Sequence, residues 1–323
     1  MLTPGKWRGL QAATTARHVF SIMALDHRGN LRAAMHPQAP ETTTYEEMVE
    51  FKQEVVASLA RASSAVLLDP MYGVSQCLAS GALPGHTGLL VALEETGYEG
   101  EATARRTTIL RGWGVEKLKR LGANGAKLLT YYHPDSPVAA EQEGLIAEIA
   151  AECLKHDLAL YVEPLSYPLT PGEKKLAPEE RERVVIESAR KLSRLGIDIL
   201  KAEFPVDVKA VPDEKRWAAA CRTITEVSAV PWVLLSASVA YEVFKRQVRV
   251  ACEAGASGVM VGRAVWQEAV TLKGAARGEF LKGEALRRMR ELADIAESSG
   301  RPWTEVYGPK DAPATSETWY KTY

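Results

Sequence analysis

Short apolar runs recur along the whole chain and alternate with longer segments of mixed polar and apolar residues. Each run is rich in Val, Leu, Ile and Ala and ends at a polar residue, a glycine or a proline, which predicts short buried strands. The predicted strands cover residues 19–25, 65–68, 88–93, 125–131, 158–162, 198–205, 231–235 and 258–261.

Most segments between these runs have helical character, with apolar residues three or four positions apart, as at Met48, Phe51, Val55 and Leu59. The predicted helices cover residues 44–61, 113–121, 137–156, 178–195, 213–228, 239–253 and 264–300, the last of them broken near Gly274 and Gly278. Residues 72–86, between the second and third strands, have no clear pattern.

Near-continuous apolar strands separated by helices are typical of a parallel sheet that is covered by helices. Eight such units favour a closed (β/α)8 TIM barrel over an open doubly wound sheet. The absence of a G-x-G-x-x-G motif after the first strand also weakens a dinucleotide-binding alternative. We predict a single α/β barrel domain over residues 1–323, with a covering helix at about 1–18 and a polar tail with several aromatic residues at about 301–323.

Composition narrows the classes of function. The formal net charge of −1 argues against a general surface for nucleic acid or anionic membranes, although it leaves room for a small basic pocket. No apolar run has the length of a signal peptide or of a membrane span, so we expect a cytoplasmic protein. The cysteines are far apart and the histidines lack metal-site spacing, so we expect neither disulfides nor a metal ion, and no cofactor.

Charged and polar residues lie at or near the ends of most predicted strands. In a barrel of this type the chemistry takes place at the carboxyl ends of the strands. Barrel closure would therefore bring these residues to one mouth, although each alone could be an ordinary solvated strand-end residue. They are Asp26, Asp69, Lys127, Glu163, Lys201, Glu203, Ser236 and Arg263.

Lys201 lies within an apolar run, and a buried lysine usually has an ion-pair partner or a functional role. Burial disfavours the charged form of a lysine, and the free amine can attack a carbonyl to form a Schiff base. Alternation along a strand places Glu203 on the same face as Lys201, either as an ion-pair partner or as an acidic neighbour of a reactive amine. Lys127 would add like-charge repulsion, and Glu163 is placed to move protons.

The last two strands end in residues suited to an anion. Ser236-Ala237-Ser238 follows the seventh strand, and Gly262-Arg263 follows the eighth. In phosphate-binding barrels these two loops hold the phosphate. The Arg263 guanidinium offers a forked donor, and Gly262 allows a close approach of the backbone.

Several short motifs, taken in order, resemble the class I tagatose-1,6-bisphosphate aldolase family over about residues 20–266. They are Ala-Leu-Asp26-His-Arg28-Gly, Leu-Leu-Asp69-Pro-Met-Tyr-Gly, Glu95-Thr-Gly-Tyr, Lys127-Leu-Leu-Thr-Tyr-Tyr, Glu163-Pro-Leu, Leu-Lys201-Ala-Glu-Phe-Pro, Leu-Ser236-Ala and Gly262-Arg263-Ala-Val-Trp. No single motif is specific, but the ordered set is.

The resemblance implies a metal-free aldolase that cleaves D-tagatose 1,6-bisphosphate to dihydroxyacetone phosphate and glyceraldehyde 3-phosphate. Because the family tolerates either configuration at C4, fructose 1,6-bisphosphate is a further expected substrate. By the same likeness Lys201 is the Schiff-base lysine, Glu163 transfers protons, and Lys127 and Asp26 assist. The residues implied to bind the phosphorylated ketose are Ser236 and Arg263, which hold the dihydroxyacetone phosphate end with its C1 phosphate, together with Gly262, Arg28, His27, Asp69 and Glu203. Many members of the family carry Gln in place of His27. This difference affects which residues are expected to bind the end of the sugar opposite the dihydroxyacetone phosphate end.

Three alternatives stay open. The related sulfofructose-phosphate aldolases share the Schiff-base core but take a sulfonate at C6 and release sulfolactaldehyde; the Glu95-Thr-Gly-Tyr motif and the tail with Trp303 and Tyr307 favour the tagatose group. An isomerase or epimerase would use Glu163 and Lys127 without a covalent step. A non-catalytic sugar-phosphate-binding barrel would bind without turnover. We also expect a homo-oligomer, dimer or higher, in which the aromatic tail forms either an interface or a cap on the barrel.

Overall fold

The eight apolar runs form eight parallel strands that close into a barrel in the order β1 to β8, with β8 beside β1. The computed structural model describes residues 2–237, 239–321 and 323. The predicted (β/α)8 barrel is therefore confirmed. The strands are β1 (Phe20–Leu25), β2 (Ala65–Leu68), β3 (Gly88–Ala92), β4 (Gly125–Tyr131), β5 (Ala159–Leu165), β6 (Ile199–Ala202), β7 (Trp232–Leu235) and β8 (Gly258–Val261).

Helices surround the barrel and alternate with its strands. They are α1 (Pro4–Ala12), α2 (Gly29–Met35), α3 (Tyr45–Leu59), α4 (Val74–Ala79), α5 (Val115–Leu121), α6 (Ala139–Lys155), α7 (Pro178–Leu192), α8 (Glu214–Val227), α9 (Tyr241–Glu253), α10 (Arg263–Trp266), α11 (Gly274–Phe280), α12 (Leu286–Ser299), α13 (Trp303–Val306) and α14 (Gly308–Asp311). Within the described residues, no helix is long and apolar enough to cross a membrane.

Local chemistry explains most of the boundaries. Thr44 and Glu47 form a capping box, in which each side chain accepts a hydrogen bond from the backbone N–H of the other, so α3 begins after Thr44. Strand β5 extends past the predicted end at Val162, because β4 pairs with it up to Leu165. Pro164 has no N–H to donate, and the pairing of β5 with β6 stops at Val162.

Two predicted segments differ from the structure. Residues 264–300 form α10, a 3₁₀ turn (Gln267–Val270), α11, a π-helical turn (Leu281–Ala285) and α12 rather than one long helix. The chain breaks before Gly274, which has a φ of +55°, whereas the expected break at Gly278 is wrong because Gly278 lies within α11. The unclear segment 72–86 contains the short helix α4.

The amino end of the barrel is closed by both ends of the chain. Leu10 of α1 and Trp303 of α13 are fully buried against barrel-interior side chains such as Phe20 and Tyr161. The Tyr307 hydroxyl donates a 2.5 Å hydrogen bond to the carbonyl of Asp198. This part of the tail is thus a cap on the barrel, while Trp319, Tyr320 and Tyr323 at the end of the chain are exposed.

Candidate active site

A cavity of about 390 Å³ opens at the carboxyl ends of the strands. Most of the polar residues that the sequence singled out line it. They are Asp26, His27, Arg28, Glu163, Lys201, Glu203, Ser236, Gly262 and Arg263. Lys127 lies directly behind this wall and is fully buried, and Asp69 does not line the cavity. Ser238 lies outside the described residues.

Lys127 is the centre of a buried cluster of charges. Its Nζ lies 2.7 Å from Asp26 Oδ2, 2.7 Å from Glu94 Oε1 and 2.9 Å from Glu163 Oε2. Burial opposes the charge, but the three carboxylates outweigh it and raise the pKa of Lys127 well above its usual range. Lys127 is therefore held as an ammonium that orients three carboxylates.

Lys201 has a different environment from Lys127. Its Nζ lies 2.8 Å from Glu163 Oε2, and Glu163 is the one carboxylate within ion-pair distance of it in the described part of the chain. Its side chain is 5% exposed, and that exposure opens into the cavity. Lys201 is thus a lysine with a proton acceptor in contact and an open path to a ligand.

Asp26 and Glu163, which contact the two lysines, are ionised. Burial opposes ionisation of Asp26, but Lys127 and Lys201 outweigh it and hold the pKa of that carboxyl well below its usual range. The same two lysines overcome burial at Glu163 and lower its pKa. Both groups are therefore present as carboxylate anions beside the lysines.

One end of the cavity is built from the ends of β7 and β8. The Ser236 hydroxyl accepts a 3.0 Å hydrogen bond from the N–H of Gly262, and Arg263 follows with its buried Nε unpaired. A Cβ at position 262 would lie 3.0 Å from the His27 ring, so a larger residue there would need that ring to shift. The Arg263 guanidinium and the Ser236 hydroxyl, which both line the cavity, are donors suited to an anion.

His27 packs against that end as a neutral ring. Its imidazole meets Trp266 edge to face, with 5.1 Å between the ring centroids. Burial lowers the pKa of His27 to about 3, with Arg263 and Lys201 adding to the effect against the attraction of Asp26. His27 is therefore a neutral hydrogen-bonding group and not a cation at neutral pH.

Two guanidinium groups stand on the side of the cavity formed by the β1 and β3 loops. Arg28 Nη2 donates a 2.6 Å hydrogen bond to the carbonyl of Glu94, while its buried Nη1 lies 3.9 Å from Glu95 Oε1 and has no hydrogen-bond partner among the described residues. Arg105 stacks over Tyr98 at 4.7 Å and over Tyr167 at 4.8 Å, and no carboxylate of the described residues pairs with it. Stacking fixes the plane of that guanidinium and leaves its terminal nitrogens for an anion.

Two predicted site residues have other partners. Glu203 lines the cavity, but it accepts hydrogen bonds from the N–H of Ser166 at 2.8 Å and from Arg181 at 3.2 Å. Of the two roles considered for Glu203, that of an ion-pair partner of Lys201 is therefore wrong. Strand β6 ends at Ala202, and the alternation of faces therefore does not extend to Glu203. Asp69 is fully buried and pairs with Lys52, away from the cavity.

Sequence reasoning missed Glu94, Arg105 and Lys52. Glu94 comes directly after the apolar run of β3 and satisfies the same strand-end rule as the other candidates. Lys52 interrupts the apolar stripe of α3 between Met48 and Val55, which is a detectable signal. Arg105 lies in an irregular loop where no periodicity points to it. Among the described residues, no three His, Cys, Asp or Glu side chains are grouped so that they could hold a metal ion.

A closed parallel barrel with a buried lysine and carboxylate cluster at the carboxyl ends of its strands defines an enzyme of the TIM-barrel class. The chain belongs to the DeoC/LacD family of aldolases, whose family model matches residues 20–268. It is therefore an aldolase, a carbon–carbon lyase.

Curated relatives cover nearly the whole chain. The chain is 32% identical over 327 residues to tagatose 1,6-diphosphate aldolase 2 of Streptococcus mutans, covering 94% of this chain and 98% of that protein. It is 29% identical over 330 residues to a tagatose 1,6-diphosphate aldolase of Listeria monocytogenes, covering 95% and 96%. A solved archaeal fructose-1,6-bisphosphate aldolase, with its catalytic Lys covalently bound to a carbinolamine intermediate, shares the fold at a TM-score of 0.57 and 22% identity, covering 90% and 99%.

Proposed function

We propose that this aldolase is of class I and that Lys201 forms a Schiff base with the ketone of a phosphorylated ketose. The observation that carries the proposal is the contrast between the two buried lysines. Lys127 is fixed as an ammonium by three carboxylates, whereas Lys201 faces the cavity and, among the described residues, forms an ion pair with Glu163 alone. Lys201 is thus the lysine that can release a proton and reach a carbonyl carbon.

The reaction begins with proton transfer from the Lys201 ammonium to Glu163, across 2.8 Å. The free amine attacks C2, and the carbinolamine hydroxyl takes the proton from Glu163 and leaves as water, giving an iminium ion. A carboxylate then removes the proton of the C4 hydroxyl; Glu163 is our assignment and Asp26 the alternative. The C3–C4 bond breaks, its electron pair enters the C2 iminium to give an enamine, and the aldehyde departs.

The second half of the cycle returns the enzyme to its starting state. The enamine carbon C3 takes up a proton from the acid that was formed in the cleavage step, which restores the carboxylate. Water then attacks the iminium at C2 and gives one proton to Glu163. The carbinolamine hydroxyl passes its proton to the nitrogen, the C–N bond breaks to release dihydroxyacetone phosphate, and the Lys201 amine takes back the proton from Glu163 to become an ammonium again. Throughout, Lys127 keeps its charge and holds Asp26 and Glu163 in place.

The proposed substrate is D-tagatose 1,6-bisphosphate, with fructose 1,6-bisphosphate as a second one. The names of the Streptococcus mutans and Listeria monocytogenes relatives support it. So does the distribution of positive charge, since Arg263 stands at one end of the cavity and Arg28 with Arg105 at the side formed by other loops. Guanidinium groups with spare donors in two parts of the cavity suit a ligand that carries two anionic groups.

A cleavage assay with matched substrates tests the proposal. Wild-type protein and the Lys201→Met variant are compared on tagatose 1,6-bisphosphate, fructose 1,6-bisphosphate and sulfofructose 1-phosphate, with release of dihydroxyacetone phosphate as the readout. We expect turnover of the bisphosphates by the wild type and none by a folded Lys201→Met variant. Turnover retained without Lys201 would contradict the Schiff-base assignment, and preference for the sulfonate would contradict the substrate assignment.

A further inference from the structure

A fully buried lysine of α3, Lys52, has no part in the reaction described above. Its ammonium donates hydrogen bonds to the carbonyl of Leu25 at 2.7 Å, to the carbonyl of His27 at 2.9 Å and to Asp69 Oδ1. The three N–H groups of the ammonium are thus all used. Neither Lys52 nor Asp69 lines the cavity, so this pair acts behind the site and not on the ligand.

The two carbonyls that Lys52 binds flank Asp26. The register of β1 with β2 ends at the pair Leu25 and Leu68, so the backbone beyond Leu25 has left the sheet. Without Lys52 the carbonyls of Leu25 and His27 would lose these donors in a buried setting, which is costly. The Lys52 ammonium therefore holds the turn that places the Asp26 carboxylate on Lys127, and it does so from outside the cavity.

Asp69 connects this ammonium to the neighbouring strand. Its second oxygen, Oδ2, accepts hydrogen bonds from the N–H of Met71 at 3.0 Å and of Tyr72 at 2.9 Å, which fixes the turn after β2. The position of Lys52 is thus set by the end of β2, and the position of the Asp26 turn is set by Lys52. The chain of contacts runs from one strand end to the next without passing through the cavity.

Stability alone does not account for this pair. Removing an ammonium and a carboxylate from water costs several kcal/mol each, and apolar side chains of similar volume often serve as well in a core. We propose that Lys52, held by Asp69, is a positioning residue that fixes the Asp26 turn, so that the Asp26 carboxylate keeps its place on Lys127 beside the reacting centre. This inference rests on the proposed function in that Asp26 belongs to the reacting cluster.

The test removes both charges at once, because a single substitution would leave an unpaired buried charge. In the double variant Lys52→Met/Asp69→Asn, methionine keeps the length of the side chain and asparagine keeps an acceptor for the Met71 and Tyr72 N–H groups. The matched control is Lys6→Met/Asp198→Asn at the opposite end of the barrel. There the Lys6–Asp198 pair is also nearly fully buried, and Asp198 also accepts a backbone N–H, that of Leu160.

We expect the Lys52→Met/Asp69→Asn variant to be folded, with kcat roughly 10- to 100-fold lower because the carboxylate is displaced by a fraction of an ångström to an ångström. KM should rise less than kcat falls, because Arg28 follows the same turn but Ser236, Gly262 and Arg263 lie on other strands. Borohydride trapping of dihydroxyacetone phosphate on Lys201 should persist. The control pair should lose stability to a similar extent but keep the wild-type kcat.

A wild-type kcat in the folded double variant overturns the proposal, as does a change confined to KM. If that variant does not fold, Lys52→Gln/Asp69→Asn is measured instead. It leaves no unpaired charge and retains an N–H donor for one carbonyl, and it must also lower kcat by more than it raises KM, or the proposal fails. Failure of the proposed function is distinct, because the wild-type protein itself would then give no trapped adduct.

Discussion

Replacing Arg263 with methionine should weaken recognition of one phosphate and leave the chemistry intact. The Arg263 guanidinium has no carboxylate within ion-pair distance among the described residues, and its Nε is buried without a hydrogen-bond partner. Burial lowers its pKa, but Glu163 and Asp26 act in the opposite sense and an arginine stays charged. Its donors are therefore free for a ligand in the resting enzyme.

The size of the effect follows from those donors. A hydrogen bond between charged groups contributes about 1.5–3 kcal/mol, so loss of one should lower kcat/KM by roughly 10- to 150-fold. The loss should fall mainly on KM, because a phosphate remote from the reacting bond supplies binding shared by ground state and transition state. Arg263→Lys keeps a positive charge but loses the forked pair of N–H donors, so its kcat/KM should lie between the values of the wild type and of Arg263→Met.

The assay compares two substrates that differ only in the phosphate at C1. Steady-state cleavage of tagatose 1,6-bisphosphate should show the full loss in the Arg263→Met variant. Tagatose 6-phosphate, which lacks the C1 phosphate, should be cleaved by wild type and variant with nearly equal kcat/KM. An equal loss on both substrates, or no loss on either, would refute the assignment of Arg263 to that phosphate.

Two further predictions concern the buried charges. Lys127→Met leaves buried carboxylates without their shared cation, so it should lower the free energy of unfolding by about 3–5 kcal/mol in urea titrations. The control Lys155→Met breaks an exposed pair with Glu152 and should change the free energy of unfolding by about 0–1 kcal/mol. Equal effects of the two substitutions would contradict the role of Lys127. The pKa of His27 falls from 6.5 to about 3 on folding, so the unfolded state binds its proton more tightly and stability is lost as the pH falls below 6.5. His27→Gln should therefore remove about 2–3 kcal/mol of the decline in stability between pH 6.5 and 4.5, and an unchanged decline would show that the ring is not buried as a neutral group.

The barrel could be predicted from the sequence because burial on both faces makes each strand an uninterrupted apolar run. The same pattern locates the carboxyl ends of the strands. Polar residues at those ends were therefore predicted to meet at one mouth of the barrel, and Lys201, Glu163 and Asp26 do line one cavity there. The ends of the strands were harder to predict. Strand β5 is an example, because its pairing with β4 continues through Pro164 to Leu165 whereas its pairing with β6 stops at Val162.

The partners of the side chains could not be predicted in this way. Asp69 follows the end of a strand just as Asp26 does, but it forms a buried ion pair with Lys52 of α3 and does not line the cavity. Glu203 lies one residue past the end of β6, where alternation no longer sets its direction. Arg105 reaches the cavity from a loop and is held by tyrosines from distant segments, a contact that only tertiary structure reveals.

The central claim is that Lys201 forms the imine, and reductive trapping tests it most directly. The wild-type protein is treated with borohydride in the presence of dihydroxyacetone phosphate, and the modified peptide is located by mass mapping, with the Lys201→Met variant as the control. We expect a stable adduct on the peptide that contains Lys201 in the wild type and no adduct in the variant. An adduct on another lysine, or none in protein that demonstrably binds dihydroxyacetone phosphate, would contradict it.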